Sequence, residues 1–363
     1  MKVLILANND VGLYKFRKEL IETLLKNNEV FISLPSGDYV DRLVNMGCNY
    51  MSTNLERRGT NPLKDIKLLK QYLNILEEYK PDIVLTYTIK PNVYGGLACQ
   101  IKNIPYVVNV TGLSSAMENG GLLGFITETL YRIGIRKAQK VFFQNEDNQR
   151  IMVNKKMVKN NYDLLPGSGV NLNNYKLLDF PKGKNIEFAY VGRLLTQKGI
   201  RLYLDAAKQI HNKYPNTLFH ICGIDDDGYI DEVNKLQDDG VVLYHGLVDD
   251  MNTIYEKIEC LVHPSYYAEG MSNVLLEASA CGRAVITTNR PGCKEVVDNE
   301  VNGYIVEQKS LEDLIDKIEM YLSLSNDQRK QMGLNGRKKI EKEFNRNIVI
   351  KKYLDEVNKI NGK

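Results

Sequence analysis

Residues 260–282 read CLVHPSYYAEGMSNVLLEASACG. The apolar run Cys260–His263 has the composition of a buried strand, Pro264 stops it, and a small-residue loop carries Glu269. Ser272 or Asn273 then caps a helix running to Ala280. A strand, a loop and a helix in that order make one β-α unit, and such units assemble around parallel sheets. The pattern repeats on either side. Further strand signals fall at Ile186–Val191, Thr217–Cys222, Val241–Tyr244, Ala284–Thr287 and Gly303–Val306. Helical patterns lie between them at Ile200–Lys213, Tyr229–Gln237 and Met251–Lys257.

The first half of the chain has its own alternation. Strands are expected at Val3–Ala7, Val30–Leu34, Ile83–Tyr87, Tyr106–Val110, Val141–Gln144 and Tyr162–Leu165, with helices at Tyr14–Lys26, Leu63–Glu78 and Ile126–Arg136. In the first helix Phe16, Leu20 and Leu24 form the inward stripe. Gly167–Lys184, rich in Gly and Asn, breaks the rhythm and reads as a connector. From Leu311 three helices follow without strands, the last at Asn345–Ile360. The expected fold is α/β with two Rossmann-like, doubly wound parallel-sheet domains facing a cleft. They span 1–168 and 185–344, with a linker over 169–184 and a C-terminal helix, 345–363, packing on the first. A chain of 363 residues is long enough for two such cores. Open α/β sheets bind ligands beyond the carboxyl ends of their strands, so the site is expected between the two sheets.

Charge narrows the partners. The net +3 divides into +6 over residues 1–180 and −3 over the remainder. That is too mild for bulk nucleic-acid binding, and it suits a first half that approaches an anionic surface or ligand. Six cysteines without a C-x-x-C pair and no export leader lead to the expectation of a reduced, cytoplasmic protein. No stretch approaches the roughly 18 apolar residues of a membrane span. Any membrane contact is therefore expected to be peripheral. Its candidate is Asn119–Lys140, where Leu122, Leu123, Phe125 and Ile126 are followed by Arg132, Arg136, Lys137 and Lys140. Apolar and basic residues in one stretch suit an interfacial helix on anionic lipid, or else an ordinary amphipathic helix laid on its sheet.

Several loops carry residues suited to chemistry. In 269–277, the backbone N–H groups of Gly270, Met271 and Ser272 are expected to point out of a helix start beginning at Asn273, a ready anion site. Glu269 and Glu277 bracket it, each able to hold sugar hydroxyls on one side of a diphosphate. In an otherwise apolar helix an idle Glu277 would be costly. The loop after Ile186–Val191 reads Gly192-Arg193-Leu194-Leu195-Thr196-Gln197-Lys198-Gly199. A glycine directly after a strand admits close backbone approach, and two cations five residues apart suit a diphosphate whose charge grows as it departs. This is neither a dinucleotide fingerprint nor a P-loop. At the first strand's end, Gly12 could approach a phosphate and Asp10 an acceptor hydroxyl, or Asp10 could simply cap the next helix. Lys90, in the loop Thr86–Asn92, and Thr111, in the loop Asn109–Ala116, are further acceptor-side candidates. The four histidines have no metal-like spacing, no metal site is expected, and His245 and His263 read as core or rim residues.

With these residues in view the chain resembles the retaining family 4 glycosyltransferases of the GT-B fold over nearly its whole length. Glu269 and Glu277 match that family's E-x7-E motif, and Gly192-Arg193 with Lys198-Gly199 match its diphosphate-binding G-R…K-G. The stretches VNVTGLSSA, FFQNEDN, GSGVNL and PGCKEVVDN are most similar to bacterial enzymes that extend polyprenyl-diphosphate-linked glycans. The resemblance implies that Glu277 holds the nucleotide ribose, Arg193 and Lys198 the diphosphate, and Glu269 the donor sugar. Gly12, Gly192, Gly270, Met271, Ser272 and Asn273 join the donor side. It also implies transfer from a UDP-sugar with retention of configuration and no required metal or other cofactor. Many members carry a histidine near the end of an N-terminal strand, and here Asn109-Val110-Thr111-Gly112 offers none.

The expected function is thus transfer of a hexose or N-acetylhexosamine from a UDP-sugar to a polyprenyl-diphosphate-linked glycan, by an enzyme held peripherally at the inner face of the cell membrane. Two rivals remain at this level. A sugar-nucleotide 2-epimerase shares the architecture, and a two-domain binding protein would close on a ligand without chemistry.

Overall fold

The computed structural model describes residues 1–56, 61–113, 117 and 120–361. Ser114, Ser115 and Ala116, from the loop expected on the acceptor side, and Asn119, at the head of the apolar-basic stretch, lie outside the described residues. The chain divides into two units: Met1–Ser168 together with the segment from Asn347, and Gly169–Arg346.

The first unit is built on seven parallel strands: β1 (Lys2–Leu6), β2 (Glu29–Leu34), β3 (Asn49–Ser52), β4 (Ile83–Tyr87), β5 (Tyr106–Val110), β6 (Lys140–Phe143) and β7 (Tyr162–Leu164), ordered β3-β2-β1-β4-β5-β6-β7. Helices cover both faces, so the central strands have no solvent-facing side: every residue of β4 and β5 is buried, the polar Thr86 and Asn109 included. The helices are α1 (Asp10–Leu25), α2 (Val40–Asn45), α3 (Pro62–Tyr79), α4 (Gly96–Lys102), α5 (Gly121–Ile135) and α6 (Glu146–Asn154), with a π-helical turn at Pro91–Gly95 ahead of α4. The short β3, α2, α4 and α6 escape the sequence reading because four to nine residues carry too little periodicity. In α1 the inward stripe is Leu13, Arg17, Leu20, Ile21 and Leu24, and Phe16 lies outside it. Arg17 takes the inner place by laying its guanidinium 4.9 Å over the Tyr87 ring and donating to the Phe16 carbonyl.

The second unit has six parallel strands: β8 (Ile186–Val191), β9 (Thr217–Cys222), β10 (Val242–Gly246), β11 (Cys260–His263), β12 (Ala284–Thr288) and β13 (Gly303–Val306), ordered β10-β9-β8-β11-β12-β13. Its helices are α7 (Ile200–Lys213), α8 (Ile230–Asp238), α9 (Asn252–Tyr255), α10 (Asn273–Ala280), α11 (Leu311–Ser323) and α12 (Asn326–Glu343). One face buries Phe188 stacked on Phe219 at 5.0 Å, with Tyr203 and Tyr321 edge-on to them. Each such ring removed from water contributes about 1.5–3 kcal/mol.

The last helix, α13 (Arg346–Asn361), joins the first unit's core through Val349, Tyr353 and Val357. Asn109 donates to the Tyr353 hydroxyl at 2.6 Å, and the Tyr353 ring lies 5.0 Å from Phe142. In each sheet the winding reverses once, between β1 and β4 and between β8 and β11. Those reversals open a crevice beyond the strands' carboxyl ends, where ligands of such sheets bind.

Candidate functional site

In the second unit the two strongest sequence motifs stand on either side of the reversal. β8 delivers Gly192 to Gly199, and β11 delivers Pro264 to Ser272. The loops meet because Gly199 lies against Pro264: a Cβ at Gly199 would come within 2.1 Å of the Pro264 carbonyl oxygen, and its φ of +81° is one that side chains rarely adopt. Tyr266 N–H also donates to the Gln197 carbonyl at 2.9 Å. This seam brings Lys198 Nζ onto Glu269 Oε1 as an ion pair. Arg193 Nη1 donates to Asp226 Oδ2 at 2.6 Å. Both cations also sit over the Tyr267 ring, 5.9 Å for Arg193 and 5.1 Å for Lys198. A second close approach supports the loop, since a Cβ at Gly223, beyond β9, would meet the Gly192 carbonyl oxygen at 1.8 Å.

Electrostatics follow from burial. Desolvation pulls the Lys198 ammonium down to about 8, and the Arg193 charge acts the same way. His263, fully buried behind the loop, is pulled down to about 3 by burial and by Lys198, so it is neutral. Its Nε2 lies 3.2 Å from Ser272 Oγ. Burial also pushes the Cys293 thiol up to about 11, which leaves it an inert core group.

The helix start differs from the expectation in one respect. Ser272 is the N-cap of α10, yet its N–H donates to the Gly292 carbonyl at 2.7 Å and its hydroxyl turns to His263 instead of capping. The Ser272 N–H is therefore spent inside the protein, and the outward row of three donors does not form as expected. Met271 is buried in the apolar core, which leaves its backbone as the part able to face a ligand. Asn273 Oδ1 is buried without a hydrogen-bond partner among the described residues. Glu277, half-buried one turn into α10, receives the Tyr255 hydroxyl on Oε2 at 3.3 Å.

In the first unit Asp10, Gly12 and Lys90 are each engaged by protein groups. Asn9, rather than Asp10, caps α1, its Oδ1 accepting from Gly12 N at 2.6 Å. Gly12's N–H is thereby committed to the cap. Asp10 is buried and accepts from the Tyr39 N–H at 2.8 Å. Lys90 is neither solvent-facing nor unneutralised: Asp65 holds it at 2.7 Å, and Tyr94 donates to the other carboxylate oxygen at 2.8 Å. Thr111 is half-buried just beyond β5. Asp226, Tyr267 and Tyr255 were not visible as site residues from sequence. Asp226 sits in an Asp-Asp-Asp run after β9, and only the pairing of β9 with β8 puts that run beside Arg193.

Residues 178–339 match the family described as Glycosyl transferases group 1, and residues 2–145 match Glycosyl transferase 4-like. Campylobacter jejuni N,N'-diacetylbacillosaminyl-diphospho-undecaprenol alpha-1,3-N-acetylgalactosaminyltransferase is 26% identical across 98% of this chain and 97% of its own. The Staphylococcus aureus capsular polysaccharide biosynthesis glycosyltransferase CapM is 30% identical across 81% of this chain and 80% of its own. Among solved structures, Anabaena HepE in complex with UDP and glucose superposes with a TM-score of 0.81 at 17% identity, covering 99% of each chain, which establishes the shared fold.

Proposed function

The chain belongs to the group 1 glycosyl transferases, and from that premise we propose that it moves a hexose or N-acetylhexosamine, with retention, from a UDP-sugar to a polyprenyl-diphosphate-linked glycan. The observation that carries this reading is the paired cations Arg193 and Lys198 over one tyrosine ring, beside Glu269, at the winding reversal of the second sheet. A nucleoside diphosphate is an anion suited to this pair of cations. On its arrival Lys198 exchanges Glu269, and Arg193 exchanges Asp226, for phosphate oxygens, and the released Glu269 accepts hydroxyls of the donor sugar. Gly192 and the backbone at Gly270, Met271 and Asn273 line the diphosphate, and Glu277 takes the ribose hydroxyls. Uridine is the base carried over from the Anabaena neighbour.

In the reaction the bond from the sugar's anomeric carbon to the phosphate oxygen breaks, and the acceptor oxygen bonds to the same face. The acceptor's proton passes to the departing phosphate oxygen. Arg193, Lys198 and the positive end of α10 offset the charge that develops there, work that other folds assign to a divalent cation. The first unit takes the acceptor, with Asp10, Lys90 and Thr111 as its candidate contacts. The polyprenyl-diphosphate acceptor follows the Campylobacter relative's name, and a role in surface polysaccharide follows the Staphylococcus one. Both relatives are named as transferases, which favours transfer over 2-epimerisation.

A lipid-linked acceptor calls for a membrane-facing surface. Among the described residues no helix is long and apolar enough to cross a membrane. α5 instead exposes Leu122 (78%), Leu123, Phe125 (67%) and Ile126 in its first turns, and Arg132, Arg136 and Lys137 are exposed toward and just beyond its other end. This combination fits peripheral docking on anionic lipid at the inner face of the cell membrane. The test of the whole reading is incubation of the purified protein with UDP-sugars, with and without lipid-diphosphate-linked glycan. Acceptor-dependent release of UDP supports it, and acceptor-independent formation of an isomeric UDP-sugar overturns it.

A further inference from the structure

Tyr255 closes the short helix α9 and is fully buried, in an apolar cluster with Ile254, Ile258, Leu275 and Leu276. A phenylalanine would fill that place as well, so the hydroxyl needs its own explanation. It donates to Glu277 Oε2 at 3.3 Å. Tyr175 stands edge-on to Tyr255, ring centroids 6.2 Å apart, near enough to Glu277 for the carboxylate to push its phenol up. Each tyrosine's backbone is itself clamped. The Tyr255 carbonyl accepts from Arg283 Nε at 2.6 Å, and the Tyr175 carbonyl accepts from Arg337 Nη1 at 2.9 Å. Burial, reinforced by the Glu277 carboxylate, holds both phenols far above their ordinary range, so both remain donors throughout the working pH range.

We propose that Tyr255 and Tyr175 are positioning residues that fix Glu277 in the orientation that accepts a ribose diol, and so make the site selective for ribonucleotides. This rests on the reading of Glu277 as the ribose contact. A glutamate has three side-chain torsions to freeze, and one held by buried hydroxyls has already lost that freedom before the ligand arrives. The arrangement places no phenol on the ligand. It acts only through the carboxylate, so its influence disappears when the diol is absent.

The test is calorimetric titration of the intact protein with UDP and with its 2′,3′-dideoxy analogue. Glu277→Gln is expected to weaken UDP and erase the preference for it over the analogue. Tyr255→Phe is expected to weaken UDP about fivefold to tenfold, the equivalent of one lost hydrogen bond of ordinary strength. It should leave the analogue's affinity unchanged and add nothing on top of Glu277→Gln. Tyr175→Phe, at a partly buried position, repeats the measurement should Tyr255→Phe fold poorly. Equal weakening of both nucleotides, or an unaltered UDP affinity in both tyrosine variants while Glu277→Gln erases the preference, overturns the positioning role. A preference that survives Glu277→Gln overturns the ribose assignment itself.

Discussion

Lys198 and Glu269, 71 residues apart in the chain, share an ion pair that leaves only 17% and 12% of their side chains exposed. Two charges are seldom withdrawn from water without need, because desolvation offsets most of their attraction. Under the proposed function, the Glu269 carboxylate holds Lys198 until a donor diphosphate takes its place. The pair then has two separable properties, one energetic and one catalytic.

On the energetic side, removing one partner deprives the other of a counter-charge. Lys198→Ala and Glu269→Ala are each expected to destabilise the fold by about 3 kcal/mol, and replacing both with apolar residues of similar size to recover most of it. Chemical denaturation of the three variants measures this directly. Equal and additive losses would show that the two side chains do not depend on each other.

Catalytically, Arg193→Ala, Lys198→Ala and Glu269→Ala should each slow sugar transfer about 100-fold or more, the scale of losing one preorganised contact to developing charge. Turnover assays under conditions where the variants remain folded decide it. Rates close to those of the unaltered protein in all three would refute the site.

The depressed Lys198 ammonium sets a pH limit. It is charged below about 8 in the free protein, so kcat/KM for the donor should fall as pH rises through about 8. Lys198→Arg, which stays charged, should flatten that limb. For folding the sign is opposite: the unfolded chain binds the proton up to its ordinary 10.5, so the penalty from Lys198 is full below about 8 and fades as pH climbs to 10.5.

Gly199 is the mechanical joint of the site. Gly199→Ala must place a methyl 2.1 Å from the Pro264 oxygen at a φ of +81°, so the seam between the two loops has to part. A stability loss of about 2 kcal/mol is expected, with transfer reduced further still. Thermal unfolding compared with turnover tests whether the joint serves the site or merely the fold.

At the first unit's surface, Leu122→Ser with Phe125→Ser should weaken sedimentation with vesicles containing anionic lipid. Transfer to a water-soluble acceptor analogue should be unaffected. Undiminished vesicle binding in the paired variant would remove α5 from the membrane face.

Much of the fold was legible because a parallel sheet buried on both faces leaves a strong mark. Ile186–Val191, Cys260–His263, Ile200–Lys213 and Asn273–Ala280 could be bounded to the residue from apolar runs and their punctuation. The four-residue edge strand β3, half-exposed, left too weak a mark. Glu269, Glu277, Arg193 and Lys198 stand out in the sequence as candidates, and the structure brings Lys198 onto Glu269. Other partners do not stand out. Asp65 on Lys90, Asp226 on Arg193 and Tyr255 on Glu277 are 25, 33 and 22 positions away, and nothing local marks them.

The amino-acid sequence alone determined the alternating elements, the two sheets they form and the kinds of side chain available at the strand ends, because each depends on periodicity and composition within a few turns of chain. Tertiary structure alone decided who faces whom. The strand order puts β8 between β9 and β11, so the loop holding Arg193 and Lys198 meets Asp226 on one flank and Glu269 on the other. Whether a charge is buried, paired or spent on a backbone group, as the Ser272 N–H is on Gly292, depends on that packing between distant segments, which no local pattern encodes.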